Sequence, residues 1–158
     1  MKYSWLVLLF FSTCLLASNS FAESTVPVPD KSLIGTIRNP DFVAGCGCFY
    51  QLPKEAKLNS TKYVFKSEIE LQPAYMNIAG RDIKLNRVSS NQPRNPKKGD
   101  RFQSSYSAQN LKVRIDHLVT RVCDPKDESC EAADIEATIH VDYGSDHQTL
   151  KTVGGCGC

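Results

Sequence analysis

The chain is poor in several things that mark common protein classes. It has one tryptophan, two methionines and three histidines in 158 residues. The histidines stand on separate segments and make no ligand set on paper. Serines are numerous, but none sits in the Gly-x-Ser-x-Gly turn that presents a hydrolase nucleophile, and no glycine-rich phosphate loop is present. No stretch carries an apolar stripe of period 3.6, which excludes a helical bundle. Beyond residue 22 there is no apolar run near the roughly 20 residues a transmembrane helix needs. A dominant charge is also missing. With 19 Lys and Arg against 17 Asp and Glu, the chain has no electrostatic reason to seek nucleic acid or an anionic membrane.

The first residues, "MKYSWLVLLFFSTCLLASNSFA", read as an export signal. Lys2 supplies the positive start, Trp5 to Ala17 the short apolar run, and Ser20-Phe21-Ala22 the small residues at a cleavage site. Phe11 and Thr13 stand where a lipoprotein signal carries Leu and a smaller residue, so lipidation of Cys14 is not expected. The expected organisation is a signal peptide over 1–22, an extended leader over 23–44, and a single antiparallel β-domain over 45–158. Removing 22 of the 158 residues leaves about 136, enough for one core. Their net charge is about +1, because only Lys2 is lost from 19 basic residues against 17 acidic ones. The expected location is the periplasm or the outside of the cell, and the compact leader favours a bacterium.

From Cys46 onward the apolar period is two, the mark of half-buried strands. "TKYVFKSEIEL" puts Tyr63, Phe65, Ile69 and Leu71 on one face. "YMNIAGRDIKL" predicts a hairpin with a type II′ turn at Gly80-Arg81, pairing Ile78 with Ile83 and Met76 with Leu85. Phe102 and Tyr106 alternate on one further strand, and Leu111, Val113, Ile115, His117 and Val119 on the next. Ile135, Ala137, Ile139, Val141 and Tyr143 alternate on another. "LPKEAKL" is the best candidate for a helical turn. About seven short strands predict an all-β fold, a small antiparallel barrel or a sandwich, stapled by disulfides.

The staples come from a repeated tetrapeptide. "GCGC" spans Gly45 to Cys48 and returns as Gly155 to Cys158. Seven cysteines less Cys14 leave six, an even number behind an export signal, which reads as a disulfide framework. Residues i and i+2 of a strand share a face. Antiparallel pairing of the two segments would join Cys46 to Cys158 and Cys48 to Cys156; parallel pairing would join Cys46 to Cys156 and Cys48 to Cys158. The second bridge would add less than the first, since the ends are already tied. That redundancy keeps a second reading open, in which Cys46, Cys48, Cys156 and Cys158 hold a soft ion, Zn or Cu(I), as thiolates. A thiol–disulfide oxidoreductase is third, because no βαβ pattern surrounds the Cys-Gly-Cys. Cys123 and Cys130 bracket a proline-containing loop and read as its private disulfide.

His117 falls on the apolar face of its strand and reads as a core residue with a satisfied ring. "NRVSSNQPRNPKKGDR" collects Arg87, Arg94, Lys97, Lys98 and Arg101; it reads first as a mobile, polar hairpin loop and second as a basic loop that grips an anionic partner. In size and hairpin content the chain is similar to small exported bacterial β-barrels, periplasmic lysozyme inhibitors among them. That likeness is of fold and carries no motif. Taken together, the residues point away from an enzyme and toward an exported binding module acting on a protein or cell-envelope component, without cofactor.

Overall fold

The structure is a computed structural model. It describes residues 32–158, apart from 59, 125, 127–129 and 131. The expected signal peptide, Cys14 and the first part of the leader lie outside the described residues. Among the described residues, no helix is long and apolar enough to cross a membrane.

Among the described residues, nine strands form one antiparallel sheet. They are β1 Ile34–Gly35, β2 Gly47–Gln51, β3 Tyr63–Ser67, β4 Ala74–Ile78, β5 Arg81–Ser90, β6 Arg101–Ala108, β7 Leu111–Arg121, β8 Ala132–Tyr143 and β9 Asp146–Gly157. Strands β2 to β9 run β4-β3-β2-β9-β8-β7-β6-β5, and β5 pairs back on β4. The sheet is therefore a closed eight-stranded barrel, with β1 an added strand, and of the two architectures the sequence allowed it is the barrel. Among the described residues the one α-helix, α1 at Pro53–Lys57, is the turn expected at "LPKEAKL".

Alternation selects the interior. Tyr50, Phe65, Met76, Leu85, Ile115 and Ile139 are completely buried. Each such side chain stabilises the fold by about 1.5–3 kcal/mol relative to leaving it in water. Tyr50 stacks on Phe65 at 5.5 Å, and Phe65 meets the edge relation with Tyr106 at 5.4 Å. The interior of this small barrel is filled by side chains, as expected for eight strands.

The first hairpin differs in register from the expectation. Met76 pairs with Ile83 and Ile78 with Arg81, so the turn is Ala79-Gly80. Both residues have positive φ, 49° and 79°, which is the type I′ turn and not the type II′. The shift is two residues, so the inward face is unchanged. The strand expected through Leu71 stops at Ser67, and Ile69–Leu71 is a 3-10 turn that leaves Ile69 exposed and Leu71 buried. Pro73, which lacks a backbone donor, lies just beyond.

The segment before β2 is bound to the barrel wall. β1 lies alongside β4, pairing Ile34 with Ile78. Pro40–Val43 is a 3-10 turn capped by Asn39, and Phe42 stacks on Tyr75 at 4.4 Å. The Asp82 carboxylate accepts from the backbone N–H groups of Arg38 and Asn39, at 2.9 and 2.7 Å, and from the Asn77 amide at 2.6 Å. Burial pushes the Asp82 pKa up, but these hydrogen bonds outweigh it and hold the carboxyl below its ordinary value.

Candidate functional site

The repeated tetrapeptide closes the barrel. β2 and β9 are antiparallel, with Gly47 opposite Gly157 and Cys48 opposite Cys156. Three disulfides form, Cys46–Cys158, Cys48–Cys156 and Cys123–Cys130, with Cα separations of 4.4, 4.0 and 5.5 Å. The first two are adjacent rungs of one ladder. Glycine is required here for space. A Cβ on Gly154 would fall on the Phe49 carbonyl oxygen, and one on Gly47 on the Ser67 carbonyl oxygen.

Beside the rungs opens a cleft of about 340 Å³, lined by both disulfides, Glu68, Ile69, Leu71 and Gln92. Ile69 is 66 % exposed there. Gln92 belongs to the β5–β6 loop, which carries the basic residues to the same end of the barrel. Arg94, Lys97 and Lys98 are exposed on that loop. The other two basic candidates lie elsewhere. Arg87 is half-buried on β5, and its charge acts on Tyr106. Arg101 lines a separate groove on the outer wall.

With their sulfurs joined, Cys46, Cys48, Cys156 and Cys158 have no thiolate to offer an ion. Among the described residues, no group of three or more His, Cys, Asp and Glu side chains comes together as a metal site. Those four cysteines could hold a soft metal only after reduction.

Below the inner rung lies a buried polar chain. Tyr50 Oη is 3.8 Å from Cys156 Sγ and 2.8 Å from His117 Nδ1, and His117 Nε2 is 2.7 Å from Ser104 Oγ. The His117 ring is stacked on Phe102 at 4.1 Å. Burial pulls the His117 pKa down to about 4, against the opposing charge of Asp116. Burial, and then Tyr106, push the Tyr50 hydroxyl well above its ordinary value. A neutral ring accepting from Tyr50 and donating to Ser104 satisfies all three groups. The serine–histidine pair is sealed: Ser104 is 0 % exposed and His117 2 %. It is a core network.

Two groupings escaped the sequence reading. On the outer wall, Gln103 Nε2 donates to Asp116 (2.7 Å), His140 Nε2 meets Asp116 (2.9 Å), and His140 Nδ1 meets Thr149 (3.1 Å). This row crosses four strands, so strand register is needed to see it. The Gln103 hydrogen bond lowers the Asp116 pKa, with burial opposing and His140 and Arg114 adding to the lowering. His147 pairs with Asp142 on the same wall at 2.6 Å. The second grouping is Lys66, buried with its ammonium 5.9 Å from the Phe49 ring centroid and 5.8 Å from that of Tyr75. Burial lowers its pKa, against the pull of Glu68. In the sequence Lys66 is indistinguishable from a solvated strand lysine.

Compared with protein-family models, with curated proteins and with solved structures, the chain matches none.

Proposed function

We propose that the chain is an exported, non-catalytic binding module of the bacterial cell envelope, and that it binds through the disulfide-bearing end of the barrel. One observation carries the reading. Exposed Ile69, the cleft beside the paired disulfides, and the loop bearing Arg94, Lys97 and Lys98 all lie at that end. The filled interior supports it, since recognition is left to the outside. An apolar anchor beside flexible cations suits an anionic envelope component, held by charge and fixed by one buried contact. The disulfides suit the oxidising periplasm.

The test is cosedimentation of the oxidised protein with purified peptidoglycan sacculi and with vesicles of outer-membrane lipid, at low and at high salt. The expected result is salt-sensitive binding to one of them. It should be lost in Ile69→Glu and in the triple variant Arg94→Glu, Lys97→Glu, Lys98→Glu, both still folded by circular dichroism. Binding unchanged in both variants, or no binding to either material at low salt, would overturn the reading.

A further inference from the structure

The two rungs of the disulfide ladder differ in their surroundings. Cys48 is 4 % exposed, and the β2–β9 register continues on both sides of it, through Gly47–Gly157 and Phe49–Gly155. Tyr50 Oη packs against its partner sulfur. Cys46 and Cys158 lie one residue beyond the last paired position, Gly47–Gly157. Cys158 is exposed and Cys46 half-buried. Apart from its chain neighbours, no atom stands within 4 Å of where a Cβ on Gly45 would be, and the cleft is lined by all four ladder cysteines. Opening the outer bond breaks no backbone pairing of the barrel. The inner bond joins buried Cys48 to half-buried Cys156, and Tyr50 Oη lies against the Cys156 sulfur.

We propose that Cys46–Cys158 is a thiol–disulfide exchange site, reduced by an external protein dithiol while Cys48–Cys156 keeps the barrel closed. One thiolate of the dithiol attacks Sγ of the exposed residue Cys158. A mixed disulfide forms, the Cys46–Cys158 bond breaks, and Cys46 leaves as thiolate. The second thiol of the dithiol, deprotonated, then attacks its own sulfur in the mixed disulfide and releases Cys158. The dithiol is oxidised to a disulfide, Cys46 and Cys158 become thiols, and the two protons pass through solvent from the dithiol to them. Exchange depends on access to the attacked sulfur and on the attacking thiolate, and access is where the two rungs differ. A second crosslink that closes nearly the same loop as the first can open and re-form without unfolding the domain. That separates a cycling role for the outer rung from a structural role for the inner one.

The test uses the full oxidised chain and reduced thioredoxin as the protein dithiol. Samples are quenched with an alkylating agent and each cysteine is followed by peptide mass mapping, with near-ultraviolet circular dichroism recorded in parallel. Cys46 and Cys158 are expected to label about tenfold or more faster than Cys48 and Cys156, with the near-ultraviolet signal preserved. A thioredoxin whose resolving cysteine is changed to serine should be trapped on Cys158. Labelling of all four cysteines together, earlier labelling of Cys48 and Cys156, or a trap on either of those two would overturn the proposal. So would the absence of both labelling and trapping at Cys46 and Cys158.

Discussion

Removing the two ladder disulfides one at a time, and then together, tests whether they close the same loop. Their sequence separations are 112 and 108 residues. A ring of that size restricts the unfolded chain by about 5 kcal/mol at 25 °C in the loop-entropy relation. With one rung already made, the other closes a ring of only about five or six residues, which the same relation values at about 2 kcal/mol. Cys46→Ala with Cys158→Ala should therefore cost about 2 kcal/mol. Cys48→Ala with Cys156→Ala should cost about 3, because a buried sulfur is lost as well. All four substitutions together should cost about 8 kcal/mol, more than the sum of the pairs, since the long loop then opens. Urea denaturation of the four proteins gives these differences directly. The quadruple variant should also show a steeper denaturant dependence, because its unfolded chain expands further. Should the quadruple variant lose no more than the two pairs combined, or should the outer pair alone cost about 5 kcal/mol, the rungs are not redundant closures and the reasoning is wrong.

Three further outcomes are expected. The His117 pKa is about 4 in the fold against about 6.5 unfolded, so the neutral ring contributes stability that is full above pH 6.5 and drains away as the pH falls from there toward 4. That loss is up to about 3 kcal/mol, and denaturation midpoints at pH 7.5 and 5 should show a slope that His117→Gln flattens. Tyr50→Phe removes the hydroxyl 2.8 Å from His117 Nδ1 and should cost about 1–3 kcal/mol, by leaving a buried nitrogen unpaired; calorimetry measures it. Gly154→Ala should destabilise far more than an ordinary surface change, because its Cβ would meet the Phe49 carbonyl group and the fully buried Tyr50 ring; a melting temperature equal to wild type would refute the packing argument.

Period-two alternation made most of the barrel legible. Phe102, Tyr106, Val113, Ile115, Val119, Ile135 and Ile139 are buried where alternation placed them, because on a small closed sheet the inward face has nowhere else to go. What alternation does not encode is register. The turn falls at Ala79-Gly80 and not at Gly80-Arg81, because the choice between type I′ and II′ depends on a positive φ at Ala79, a conformation alanine rarely takes. Antiparallel and parallel pairings of the two tetrapeptides both put the sulfurs on one face, so only the direction of β9 against β2 separates them. The Gln103–Asp116–His140–Thr149 row had no local signal, since its members are strand neighbours and not sequence neighbours. Alternation points Ile69 inward only for a strand that runs past Ser67, where β3 ends.

The position of the tetrapeptides follows from where the barrel is thin. β7, β8 and β9 are 11 or 12 residues long, whereas β2, β3 and β4 have five each. Backbone pairing scales with strand length, so the seam from β9 through β2 and β3 to β4 is the weakest part of the closure. It is reinforced at both of its ends. Where β3 stops short, β1 takes up the β4 edge, and its Ile34 N–H donates to the Gln148 side chain on β9 at 2.9 Å. Ile37 N–H completes the patch by donating to the Tyr63 carbonyl at 2.8 Å. At the opposite end the seam is covalent, through the two rungs of β2 and β9. A single inner rung already supplies the covalent tie, and the buried Tyr50–His117–Ser104 chain beneath it fixes the wall from inside. The outer rung lies one residue beyond the last paired position of β2 and β9, and it carries the one exposed cysteine of the ladder, Cys158.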